Sequence, residues 1–147
     1  MELNFTAYST LVSLSAISSF ILAIVAWRNR LNRLTNTLFS LFMFSVGVWA
    51  STVFLQHIAP SFSAKVLVAK LVYIGIGCTV ATWLMFSLAY TGRSHYLNRR
   101  NLLLLAVEPI LLLLLVWTNA SHHLIWTTIW LDSSGSFPIL IAEYGTG

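Results

Sequence analysis

The sequence predicts an all-α membrane protein: four transmembrane helices with a β-hairpin appended near the C-terminal end. Three observations carry that expectation. The 147 residues are 58% hydrophobic and 8% charged, with a mean hydropathy of +0.82, which leaves too little polar surface to cover a water-soluble globule. The apolar residues fall into four runs of spanning length separated by polar connections. The eight Lys and Arg stand almost entirely at the ends of those runs. That distribution marks membrane topology, whereas a phosphate-binding face would gather them, so the net charge of +4 does not point to nucleic acid. The lipid bilayer is the expected partner, and residues 1–147 the extent of a single membrane domain.

The first span is expected at about residues 6–27. Thr6 to Trp27 is an uncharged stretch of 22 residues, about 33 Å as a helix, which matches the hydrocarbon core. A signal peptide would carry a positive n-region and a shorter apolar run. Here Glu2 precedes the run, and Arg28 and Arg30 follow it. Ser9, Ser13, Ser15, Ser18 and Ser19 make this helix small-sided and suited to close packing. Arg28 to Asn36 reads as a polar connection. The second span, about 38–55, is rich in Phe and contains Trp49, and Gln56 to Ser63 reads as a turn stopped by Pro60.

The third span, about 66–90, is led by Lys65 and Lys70. Gly75 with Thr79, and Gly77 with Ala81, form small-xxx-small pairs that admit a neighbouring helix closely. The connection TGRSHYLNRR follows, and then the fourth span at about 101–118. Its nine leucines favour insertion by roughly 0.5 kcal/mol each, against about 3 kcal/mol for one central acid, Glu108. Insertion wins, but lipid alone gives the acid nothing to interact with. Arg28, Arg30 and Arg33 fill the first connection and Arg93, Arg99 and Arg100 the third. Both termini lack Lys and Arg, which predicts a multi-pass plasma-membrane protein with its N- and C-terminal ends outside the cell.

The tail cannot be a fifth span, because Asp132, Ser133, Ser134, Gly135 and Pro138 interrupt it. The β-rich segments IWTTIWL (125–131) and FPILIA (137–142) flank a Ser-Ser-Gly turn and predict an extracytoplasmic hairpin at about 124–144. Pro138 fits only near a strand start or edge. A lone hairpin is marginal in water, so helix ends must lie beneath it. Trp117, Trp126 and Trp130 are expected at headgroup depth.

Glu108 is the sharpest site candidate. It reads either as a coupling residue switched by a proton or a partner cation, or as packing glue bonded to a Ser or Thr of the first three helices. Lys70 is a candidate partner, although rise per residue sets it about 10 Å or more from the midplane. Pro109 frees the carbonyl of Leu105 and tends to bend the helix, as a hinge or as a fixed bend. His122 and His123, with Asp132, Glu143 and His57, form a candidate polar or metal-binding group. The absence of HxxxH or HxH spacing argues against zinc, and the pair reads rather as anchoring for the hairpin. Tyr73, Trp83, Phe86 and Tyr90 line up along the third helix as cavity wall or as bundle core. The single Cys78 excludes a disulfide framework or a cysteine metal motif. No cofactor, metal or catalytic residue is expected.

The runs AKLVYIGIG (69–77), AYTGRSHYLNRR (89–100), AVEP (106–109), WTNASHHLIW (117–126) and AEYGTG (142–147) resemble, in order and spacing, the N-terminal seven-helix membrane region of bacterial and archaeal histidine kinases. The resemblance implies an outside N-terminus and a sensory input module followed by three more helices and cytoplasmic signalling domains. The sequence departs from that pattern in ending at Gly147, before a fifth helix, and is expected to be a truncated or split form or a piece of a longer frame. It has no phosphate-cradling glycine loop, and His95 reads as a solvated loop histidine and not as a phosphoacceptor, so the chain is not expected to be an enzyme. Further helices or signalling domains supplied elsewhere are expected partners, and a homo-oligomer is compatible. The alternative readings are a small proton-coupled four-helix transporter working through Glu108, or a non-catalytic membrane assembly subunit.

Overall fold

The computed structural model describes residues 7–29, 33–132 and 139–145. Four long helices run antiparallel in sequence: α1 (Ala7–Arg28), α2 (Arg33–Ile58), α3 (Phe62–Tyr90) and α4 (Arg99–Trp117). Each is long and apolar enough to cross a membrane. A single turn of helix, α5 (Asn119–His122), leads into strands β1 (Trp126–Asp132) and β2 (Ile139–Tyr144). Backbone groups in hydrocarbon must be satisfied within the segment, so the helices run through their apolar stretches and on into the flanking polar residues. For that reason α2 starts earlier and ends later than its apolar run, and α3 starts at Phe62. Pro60 lies two residues beyond α2, and the Ser61 hydroxyl caps α3 by accepting from the Ala64 N–H at 3.3 Å. The Asn98 side chain does the same for α4, accepting from the Asn101 N–H at 3.0 Å.

The helices pack as a row, α1 on α2, α2 on α3 and α3 on α4, and no comparable contact joins α1 to α4 among the described residues. Small residues make each seam. On α1, Ser9, Ala16 and Ala23 are buried at seven-residue intervals, with Ser19 beside them. Ser15 and Ser18 are exposed and bond to carbonyls of their own helix, so only part of the serine-rich face is used for packing. A Cβ on Gly47 would lie 2.8 Å from the Phe20 ring. One on Gly75 would lie 2.6 Å from the Cα of Trp49, and one on Gly77 would lie 2.8 Å from Pro109. The two glycines expected to admit neighbours therefore do so on different seams, α2–α3 and α3–α4.

The hairpin is antiparallel, pairing Trp126 with Tyr144 and Ile129 with Ala142, with an irregularity between Trp126 and Thr128. The extra residue at Thr127 shifts the alternation, so Trp126 and Ile129 face inward although three residues apart. Trp126 is consequently 4% exposed and joins Ala69 of α3 and Val116 of α4 in one apolar cluster. Trp126 therefore turns its ring inward onto the helices and not outward to lipid. Trp117 and Trp130 remain about half exposed. The Ser133–Ser134–Gly135 turn and Pro138 lie outside the described residues.

Candidate functional site

Where the hairpin meets α3, a cleft of about 190 Å³ opens, lined by Gln56, Tyr73, Ile76, Trp126, Leu140 and Tyr144 among others. The helix α3 presents Tyr73 here because Ala69, Tyr73 and Ile76 recur at helical spacing on one face. Tyr73 meets Trp126 edge to face at 5.6 Å between ring centroids, the arrangement aromatic pairs favour. A Gln amide and two phenols on otherwise apolar walls suit a ligand with an apolar body and one or two polar groups, smaller than the usual drug-sized molecule.

The wall formed by Trp126 is held by a residue the sequence reading passed over. Asn119 is buried, and its Oδ1 accepts from the N–H groups of Ile125 at 2.9 Å and Trp126 at 3.1 Å. Its Nδ2 donates to the Trp126 carbonyl at 2.9 Å. One side chain thus supplies the hydrogen-bond partners of the backbone where β1 begins. Only the position of an Asn just past the end of a long apolar helix signalled it.

His122 and His123 part company. The Leu124 N–H donates to His122 Nδ1 at 3.0 Å, while Nε2 lies 3.1 Å from the Thr118 hydroxyl. That hydroxyl in turn donates to the Leu114 carbonyl at 2.5 Å. Nδ1 therefore acts as the acceptor, and the ring donates through Nε2–H. His123 is exposed and left-handed, with φ 53° and ψ 26°, and closes α5 by donating its N–H to Asn119 at 2.8 Å. Both histidines are built into the junction between α4 and the hairpin.

The remaining candidates are dispersed. Glu143 accepts from the Thr128 hydroxyl at 2.8 Å. The His57 ring bonds the Val53 carbonyl at 2.8 Å and packs 4.8 Å from Tyr8. No group of three or more His, Cys, Asp or Glu comes together among the described residues. Of the aromatic stripe, Tyr73 reaches the cleft, Trp83 is exposed, and Phe86 packs with Phe39, Phe42 and Tyr90. The stripe lines no single cavity, because successive turns of α3 face different neighbours.

The lysines correct the sequence reading. Lys70 does not pair with Glu108, and its ammonium instead stands 5.8 Å from the centre of the Trp117 ring, a cation–π contact between α3 and α4. Lys65, read only as a topology marker, is 3% exposed and donates to the carbonyls of Gln56 at 3.0 Å and His57 at 3.2 Å. It thereby satisfies the free end of α2, where the helix dipole favours a cation. Glu108 is exposed on α4 and bonds to no Ser or Thr of the first three helices among the described residues. Its α4 neighbour Pro109 lies in an uninterrupted helix and rests against Gly77. His95 is exposed in a short 3₁₀ turn and leans on Tyr96.

Residues 11–147 match the family model described as the N-terminal 7TM region of histidine kinase. No curated protein and no solved structure matches the chain.

Proposed function

The chain belongs to the family of N-terminal 7TM regions of histidine kinases and is a membrane sensory input domain, and from that premise we propose that its stimulus acts at the cleft beneath the hairpin. The observation that carries this reading is Trp126, one hairpin residue wedged into the cluster that Ala69 of α3 and Val116 of α4 complete. A ligand entering beside Tyr73, Trp126 and Tyr144 bears on that wedge and so on the spacing of α3 and α4. Phosphotransfer belongs to signalling domains outside these residues. The paired three-arginine connections support an orientation with the hairpin outside and the α3–α4 connection facing those domains.

The reading is tested by the distance between spin labels at positions 91 and 100, at the far ends of α3 and α4, with Cys78→Ala as background. Trp126→Ala is expected to shift or broaden that distance. An unchanged distribution, with the hairpin shown to have left the cleft, would mean that hairpin and helices are not coupled.

A further inference from the structure

We propose that the groove between α1 and α2, at the end that carries Arg28, is a binding site for an anionic phospholipid. The groove holds about 560 Å³ and is lined by Phe20, Ala23, Ile24, Trp27, Arg28, Ser40, Leu41 and Phe44. It is an open apolar groove with one basic end. Its floor is the point where the Ser40 hydroxyl donates to the Ala23 carbonyl at 2.7 Å, pinning the two helices together. Its inner end is closed by the rings of Phe20 and Phe44, edge to face at 5.6 Å. Its side walls are apolar, and its mouth is Arg28.

The dimensions suit one acyl chain. From Phe20 to Arg28 is about 12 Å along a helix, most of the roughly 15 Å that one leaflet contributes to a hydrocarbon core of about 30 Å. A chain lying on the floor places its phosphate beside Arg28, whose planar guanidinium binds phosphate through paired donors.

Charge selects the headgroup. Arg28 has no ion-pair partner among the described residues, and the described acids, Glu108, Asp132 and Glu143, lie on α4 and the hairpin. The connection from Arg28 to Asn36 contains Arg28, Arg30 and Arg33 and no acid. An ammonium headgroup would meet only like charge there, whereas a net anionic headgroup is attracted, as at basic pockets between membrane helices in general.

The test uses the full chain, purified in detergent, stripped of lipid and titrated with phosphatidylglycerol or phosphatidylcholine while bound lipid is counted by native mass spectrometry. The wild type is expected to retain phosphatidylglycerol preferentially. Arg28→Gln should reduce that preference by about fivefold, and Ile24→Trp, which fills the groove from its exposed wall, should reduce retention of both lipids. Arg93→Gln, in the other arginine-rich connection, should change neither. Equal retention of the two lipids by the wild type overturns the proposal. So does an Arg93→Gln loss as large as that of Arg28→Gln, which would mean diffuse surface charge, or an undiminished retention in Ile24→Trp. Should Arg28→Gln fail to fold, the wild-type preference and Ile24→Trp decide the matter.

Discussion

Replacing Asn119 by Ala should release the hairpin while leaving the helices in place. The substitution strips a partner from the N–H groups of Ile125 and Trp126 and from the carbonyl of Trp126. Each buried polar group left unpaired costs about 1–3 kcal/mol. Ile125 is only half-buried and regains water, so a net loss of about 2–4 kcal/mol is the working figure. Hydrogen exchange in lipid nanodiscs reads it directly, because local opening sets the rate. The amides of Ile125 and Trp126 should exchange about thirty- to several-hundred-fold faster than in the wild type, with the middle of α3 unchanged. Asn119→Asp should fall between the two: it keeps an acceptor for both N–H groups but turns a carboxylate oxygen toward the Trp126 carbonyl. Rates within threefold of wild type in Asn119→Ala would refute the assignment of Asn119 as the clamp.

Four further outcomes are expected. Gly75→Ala drives a Cβ to 2.6 Å from the Trp49 Cα; backbone cannot yield as a side chain does, so the solubilised protein should lose about 1–3 kcal/mol, read as a lowered melting temperature. Lys65→Met removes the two bonds to the end of α2 and should cost about 1–3 kcal/mol, with faster exchange confined to the α2–α3 turn. His123→Val should destabilise the α4–hairpin junction by about 1–2 kcal/mol because of its positive φ, whereas His123→Gly should be neutral or slightly stabilising in the same melting assay. Glu108→Gln should leave membrane insertion intact and, in an assembled receptor, alter signalling output; output equal to wild type would remove Glu108 as a coupling residue.

The four helices were legible because hydropathy over some twenty residues is a summed quantity, and single polar residues barely move it. The hairpin was legible from β-rich segments flanking a turn. The seams were half legible: Gly75 and Gly77 announced close approach, but not that they serve different neighbours, since two residues of helix rotate the face by roughly 200°. What escaped was set by single atoms in tertiary context. The burial of Trp126 depends on one inserted residue at Thr127, which reverses the strand alternation without altering composition. Asn119 and Lys65 act on backbone groups some six to nine residues away, a relation that exists only once the turn between them has folded. Lys70, a candidate partner for the acid at mid-span, instead stands over the ring of Trp117.

The row of helices has a mechanical corollary. Each member leans mainly on its sequence neighbours, so the seams act in series, like hinged panels of a folding screen, and no closed ring shares the load. Motion starting at the hairpin reaches α1 through α2, across the seam where Gly75 meets Trp49 and at the cleft that Gln56 lines. Widening the seam at Gly75 should weaken the coupling of the first two helices to whatever happens to the last two.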